Sequence, residues 1–329
     1  MKHANISVFI PHSGCPEQCS FCNQRRITGE STQPTVQSVE ETLRRAAGQM
    51  GARVQNTEIA FFGGSFTAID RCYMTDLLRV AHDACERYGF AGIRCSTRPD
   101  AIDRERLTLL KAYGVTAIEL GAQSMDDGVL SINRRGHTAQ DVCRASALIH
   151  AYGFELGLQM MTGLPGDSDE KAVATAKALL ALMPDTMRIY PTIVLENTQL
   201  CDWYRAGQYV PQTLEDAVSL CAKLIPMIEE QGVRLIRVGL HASEELENRV
   251  AGPYHPAFME LCRSRIFLTQ LMAALRECGV REAVVEVNPR MLSTAIGQKR
   301  QNLVALLSAD FSVQIRPAAD VPGRTFRIL

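Results

Sequence analysis

The chain has 329 residues, 35 basic against 36 acidic, with 46% hydrophobic and 6% aromatic content. That length is enough for one large α/β core with a small appendage, and a net charge of −1 removes the overall basicity that marks a dedicated nucleic-acid-binding domain. No apolar run reaches the ~18 residues of a membrane span, and Met1-Lys2-His3-Ala4-Asn5 leads into a strand without a signal-peptide pattern. A cytoplasmic protein with no membrane partner is expected. Eight of the eleven cysteines (Cys72, Cys85, Cys95, Cys143, Cys201, Cys221, Cys262 and Cys278) are scattered singly through helical and strand-like runs. In a reducing compartment they read as small buried hydrophobes.

The first strand is expected over Ile6–His12, and the other three cysteines follow it as Cys15-Pro-Glu-Gln-Cys19-Ser-Phe-Cys22. Thiolates select zinc, copper(I) or iron–sulfur clusters. A [4Fe–4S] cluster ordinarily takes four cysteines, so C-x3-C-x2-C with no nearby fourth leaves one iron open for chemistry. The alternative is a structural zinc site, for which His12 is the only local fourth ligand. After the cluster loop come a helix near 36–50 and a strand at Glu58–Phe62, ending in Gly63-Gly64-Ser65. Two glycines let the backbone approach a ligand closely, although they also suit a tight βα turn. A helix near 71–88 leads to the strand Ile93–Ser96, and Ser96, Thr97 and Arg98 are expected around the rim before Pro99 ends the run.

A helix near 104–112 precedes the strand Ala117–Gly121, whose alternation places Glu119, Gly121 and Gln123 on one face. Next come Arg134-Arg135-Gly136-His137, then Thr138 as the N-cap of a helix near 139–152. Gln159 lies on the strand Glu155–Met161, before a Gly163-Leu-Pro-Gly166 turn. A helix near 169–182, a strand at Met187–Leu195 carrying Arg188, and a helix near 213–231 complete six βα units. Arg188 is expected to reach a substrate or to pair with Glu155. Periodicity alone leaves an open doubly wound sheet and a partial barrel both available, each with its site at the C-terminal ends of the strands. From about residue 250 the rhythm changes to a helix near 256–277, a strand near 283–288, a helix near 293–307 and strands near 311–316 and 325–328. The expected division is a core domain over 1–250 and an accessory module over 251–329.

The cysteine loop, Phe61-Phe-Gly-Gly-Ser-Phe-Thr67, Ser96-Thr-Arg-Pro-Asp100, Glu119-Leu-Gly-Ala-Gln-Ser124, Arg135-Gly-His-Thr138, Gly157-Leu-Gln-Met-Met-Thr-Gly-Leu-Pro-Gly-Asp167 and Arg188-Ile-Tyr-Pro-Thr192 together resemble the radical S-adenosylmethionine (radical SAM) proteins related to the catalytic subunit of Elongator. The resemblance implies an α/β fold, a partial (β/α)6 TIM-type barrel with a small α+β C-terminal module. It implies one [4Fe–4S] cluster on Cys15, Cys19 and Cys22, with SAM on the open iron and a 5′-deoxyadenosyl radical as the product of its reduction. It implies a SAM contact at Gly63 and Gly64, with Ser65 where an acidic residue is usual, and SAM ribose or carboxylate contacts at Gln123, Arg135 and Gln159. Ser96 occupies a further such position where a more distant relative carries a carboxylate. An external electron donor of the flavodoxin or ferredoxin type and a tRNA wobble uridine follow as expected partners, with Arg25, Arg26, Arg134, Arg135, Lys299 and Arg300 as local basic residues. Radical chemistry on a small metabolite or tetrapyrrole is the second reading, and a non-catalytic iron–sulfur scaffold the third. The Elongator subunit carries an acetyltransferase domain that this sequence is expected to lack. No catalytic residue beyond the cofactor ligands is assigned.

Overall fold

The structure is a computed structural model that describes residues 4–10, 15, 19–23, 32–241, 246 and 249–329. Seven strands form one sheet: β1 (Ala4–Ile10), β2 (Thr57–Gly63), β3 (Gly92–Thr97), β4 (Val115–Gln123), β5 (Glu155–Thr162), β6 (Thr186–Pro191) and β7 (Arg234–Val238). Every neighbouring pair is parallel and the order is β1-β2-β3-β4-β5-β6-β7. A doubly wound sheet reverses its strand order at a switch point. This one never does, so it is the open part of a barrel, as the family resemblance implied.

The helices between strands are α1 (Val36–Met50), α2 (Arg71–Tyr88), α3 (Arg104–Ala112), α4 (Asp127–Ile132), α5 (Ala139–Ala151), α6 (Asp169–Leu180), α7 (Gln199–Arg205) and α8 (Leu214–Glu230). Short polar residues start them: Thr35, Asp70, Asp103, Asp126, Thr138, Ser168, Thr198 and Thr213 each accept a hydrogen bond from a backbone N–H of the first turn. At Thr138 the expected cap is a full capping box with Asp141. Helix faces rich in Leu, Ile, Val and Ala bury against the outer face of the sheet, giving one core that includes Leu43, Leu77, Ile118, Leu156 and Leu224. Among the described residues no helix is long and apolar enough to cross a membrane.

Besides two short helices, α4 and α7, that the sequence did not lead one to expect, three elements differ from the expectation. A seventh strand, β7, extends the sheet beyond the six expected. It is a five-residue edge strand whose Arg234 and Arg237 break up its apolar pattern. The sixth strand stops at Pro191 rather than Leu195, because proline lacks the N–H that would continue the ladder. The chain then peels off, and Val194 bridges to Ala251. The helix expected near 293–307 is broken into α10 (Leu292–Ile296) and α11 (Gln301–Ser308). Gly297 has φ 78° and ψ 159°, and Lys299 and Arg300 follow in the left-handed region. The side-chain amide of buried Asn302 holds this break, donating to the carbonyls of Thr294, Ala295 and Ser264 and to Ser264 Oγ.

The second sheet has three strands, β8 (Glu282–Val287), β9 (Ser312–Pro317) and β10 (Phe326–Ile328), in the order β10-β8-β9. The long helix α9 (Phe258–Cys278) joins the two parts. Its Phe258, Leu261 and Cys262 belong to the main core, and its Phe267, Leu271 and Leu275 to the smaller one.

Candidate functional site

A cavity of about 540 Å³ opens at the C-terminal ends of the parallel strands. Cys15, Cys19 and Cys22 line it, as do Gly63, Gly64, Ser96, Gln123, Arg135 and Gln159. These residues come from the segment after β1 and from the ends of β2, β3, β4 and β5. Arg135 comes from the loop after α4.

Cys19 is buried and Cys15 and Cys22 are half-buried. The segment around Cys19 is fixed from two sides. Ser20 donates from Oγ to Asn133 Oδ1 at 2.7 Å and from its backbone N–H to the Asn133 carbonyl at 3.2 Å. On the other side the Leu200 N–H bonds the Ser20 carbonyl at 2.8 Å, and Asn23 Nδ2 bonds the Glu196 carbonyl at 2.8 Å. Asn133 is itself tied to the carbonyls of Val129 and Pro165. His12, Arg25 and Arg26 lie outside the described residues. All eleven cysteines are free thiols.

Two guanidiniums border the thiols. Arg135 donates from Nη1 to Cys19 Sγ at 3.1 Å and from Nη2 to the Gly121 carbonyl at 2.7 Å. Arg98 is clamped to Asp100 through Nε at 2.9 Å and Nη2 at 2.8 Å. Burial, with Cys19 beside it, pushes the Cys15 thiol up, while Arg98 and Arg135 pull it down. His137 donates from Nε2 to the Ala122 carbonyl at 3.2 Å. Burial first, then Arg135, lowers its pKa to about 4, so at neutral pH it is an uncharged prop for the end of β4.

Gly63 has φ 110°, and a Cβ there would stand 2.9 Å from the Ile10 carbonyl oxygen, while Gly64 N–H bonds that same oxygen at 2.8 Å. The two glycines therefore bring the β1 and β2 ends together and leave backbone facing the cavity. Ser65 turns its side chain away from the cavity, and its backbone hydrogen-bonds Cys15. Its buried Oγ lies 2.8 Å from Thr97 Oγ1 and accepts from the Arg98 N–H at 3.1 Å, fixing the loop that carries Arg98. Gln123 is a non-glycine residue at φ 64°, next to a bulge in β4, and such strain concentrates at functional positions. Its Oε1, like Arg135 Nε and Arg98 Nη1, is buried with no hydrogen-bond partner among the described residues. One acceptor and two donors thus stand unsatisfied around the cavity, the complement of a ligand carrying both kinds of group. No three His, Cys, Asp or Glu side chains among the described residues close on a single ion. A cubane differs in giving each thiolate its own iron, so three sulfurs bordering one volume suit it.

Beneath the cavity lies a charged layer that sequence reasoning missed. Arg94, 1% exposed, bonds Glu58 at 2.6 Å, Glu119 at 2.8 Å and Glu155 at 3.2 Å. Arg188 grips Glu119 through two bonds, at 2.7 and 2.9 Å, and its guanidinium carbon sits 5.4 Å from the Phe62 ring centre. Arg234 bonds Glu155 at 3.0 Å. Arg188, expected to reach a substrate or to pair with Glu155, lines the cavity and pairs with Glu119. Gly157 makes room for it, since a Cβ there would meet Glu119 Cγ at 2.7 Å. The available signal was that each of β2 to β6 carries one charge on its inward-facing register.

At the rim, the Asp167 carboxylate accepts from Gly163 N–H at 3.1 Å, and burial raises its pKa from 3.8 to about 6. A raised carboxylate favours the fold while protonated, and that contribution is lost as pH rises through about 6. Asp167→Asn is therefore expected to match the parent protein in melting temperature near pH 4 and to exceed it at pH 8. A constant difference across that range in thermal melts would contradict the assignment.

The Radical SAM superfamily model matches residues 9–179, and the Radical_SAM C-terminal domain model matches residues 184–267. Two curated relatives are a tRNA uridine(34) acetyltransferase of Dehalococcoides mccartyi, 28% identical over 71% of this chain and 58% of its own length, and human Elongator complex protein 3, 27% identical over 73% of this chain and 48% of its own. The chain thus spans about half the length of these relatives. Among solved structures, the archaeal Methanocaldococcus infernus Elp3 with an N-terminal deletion superposes with a TM-score of 0.64 at 20% identity, covering 85% of this chain and 65% of the other. A partial barrel that gathers three closely spaced cysteines and unpaired polar groups at its strand ends, together with a superfamily model matching from β1 into α6, means that the chain belongs to the Radical SAM superfamily.

Proposed function

We propose that the protein is a radical SAM enzyme with one [4Fe–4S] cluster on Cys15, Cys19 and Cys22, and that its substrate is a tRNA wobble uridine. What carries the reading is that nine of the ten residues assigned to cluster and SAM border one cavity, Ser65 being the exception. When bound, the cluster and SAM together supply a reductively generated 5′-deoxyadenosyl radical, with the electron coming from a flavodoxin- or ferredoxin-type donor. The chain's own part is to bind, orient and exclude water. Gly63 and Gly64 offer backbone to the SAM amino group. Gln123 and Arg135 each bring an unsatisfied buried atom to its ribose or carboxylate, and Ser96 and Gln159 lie beside them. Arg135, donating to Cys19, also offsets the negative charge of a thiolate-bound cluster. In this reading residues 1–250 form the catalytic core, 251–329 an accessory module, and the protein works in the reducing cytoplasm.

The names of the curated relatives support RNA as substrate. Arg134, Lys299 and Arg300 support it too. All three are exposed and at positive φ, and exposed cations are available to phosphate. The test is anaerobic. Reduced, reconstituted protein should convert SAM to 5′-deoxyadenosine, and tRNA binding should weaken steeply from low to high salt. SAM cleavage without tRNA binding would redirect the substrate to a small molecule, and absence of cleavage would leave an iron–sulfur scaffold. Within the pocket, Gly64→Val and Gln123→Ala should each weaken SAM binding about tenfold or more while iron content holds. Unchanged affinity in both, by anaerobic equilibrium binding, would remove these residues from the SAM site.

A further inference from the structure

Among the described residues, the inward-facing charges below and beside the cavity do not balance. Three carboxylates, Glu58, Glu119 and Glu155, meet three guanidiniums, Arg94, Arg188 and Arg234. A fourth guanidinium, Arg237, lines the same cavity from β7, is exposed, and has no hydrogen bond or ion pair among the described residues. In the sheet register Arg237 is the direct partner of Arg188, which in turn pairs with Gln159. Like charges opposite one another on neighbouring strands are unfavourable. Here Glu119 cannot relieve the clash, because its two oxygens already accept from Arg94 once and from Arg188 twice. Among the described residues, the β6–β7 side of the cavity therefore carries one uncompensated positive charge. It stands beside Tyr190, which also lines the cavity, and across from the rings of Phe9 and Phe62, whose centres are 6.5 Å apart.

We propose that Arg237 is the substrate's phosphate anchor: it binds a phosphate of the nucleotide chain next to the base that enters the cavity, while the aromatic wall takes the base. Guanidinium matches phosphate oxygens in bidentate geometry, and flat aromatic surfaces stack unpaired bases. The anchor rests on the RNA reading above for the identity of its ligand, but the uncompensated charge does not depend on that reading.

The experiment uses reconstituted full-length protein and an anticodon stem-loop RNA, with affinity measured at several salt concentrations. Arg237→Gln should weaken binding about tenfold and flatten the dependence of log affinity on log salt by about one. Arg237→Lys should recover part of the loss. Arg144→Gln, which removes an exposed arginine paired with Asp141, should leave both quantities unchanged. Equal affinity and slope for Arg237→Gln and the parent protein would overturn the anchor and leave the RNA reading standing. If the parent protein binds no RNA, the RNA reading falls and a second measurement judges the anion subsite alone: the rate of phenylglyoxal modification at Arg237, read by peptide mass spectrometry, in phosphate and in acetate at matched ionic strength. Slower modification in phosphate keeps the subsite, and equal rates overturn it.

Discussion

Glu119→Leu is expected to lower stability by about 3–5 kcal/mol, the range seen when one partner of a buried ion pair is removed and its counter-charge stays behind. Glu119 is 3% exposed and receives three hydrogen bonds from two guanidiniums that are themselves 1% and 9% exposed. Without it Arg188 has no carboxylate partner, and Arg94 keeps only Glu58 and Glu155. Glu58→Gln should cost less, because Arg188 keeps Glu119 and Arg94 still retains two carboxylates. The double change Glu119→Leu with Arg188→Met should recover much of the loss, since it removes both the charge and its counter-charge. Urea unfolding of the metal-free protein, followed by far-UV circular dichroism, measures all three. A loss under about 1 kcal/mol for Glu119→Leu would mean that water or a rearranged neighbour compensates Arg188, and the charged floor would lose its structural role.

Cys19→Ala should reduce bound iron from about four atoms per chain to less than one, because a cubane with three protein thiolates does not survive on two. Cys143→Ala is the matched control: Cys143 is half-buried in α5 and does not line the cavity, and it should retain full iron. Iron determination and visible absorbance after anaerobic reconstitution decide the outcome. Full iron in Cys19→Ala, or one zinc per chain in the native protein, would remove the cluster from Cys15, Cys19 and Cys22.

The strand rhythm and the longer helices up to α8 were legible because the helix-facing positions of the strands form an apolar run, as Ile93 and Cys95 do in β3 and Leu156, Leu158 and Met160 in β5. β7 was not, since a short edge strand with arginines at its first and fourth positions lacks such a run. The break at Gly297 was equally hidden. A glycine within a helical pattern is tolerated or is a terminus, and here Asn302, five residues later, makes it a terminus. Within the site, the cysteines were legible from spacing alone because their relation is local. Gln123, Arg135 and Gln159 drew their assignment from family resemblance. The floor was out of reach because its pairs span 25 residues between Arg94 and Glu119, 69 between Glu119 and Arg188 and 79 between Glu155 and Arg234. Only the sheet register brings them together. Resemblance also placed Ser65 at the SAM site, where its hydroxyl faces Thr97 and Arg98 while its backbone hydrogen-bonds Cys15.

The bonds that seat Ser20 against Asn133 and Leu200, and Asn23 against Glu196, involve no thiol. If oxygen strips the proposed cluster, these bonds should therefore still hold the described stretch from Cys19 to Asn23 in place. Damaged molecules are then candidates for refilling rather than for degradation. Refilling such a site takes iron, sulfide and a reductant for any oxidised thiol, with no new synthesis of the polypeptide.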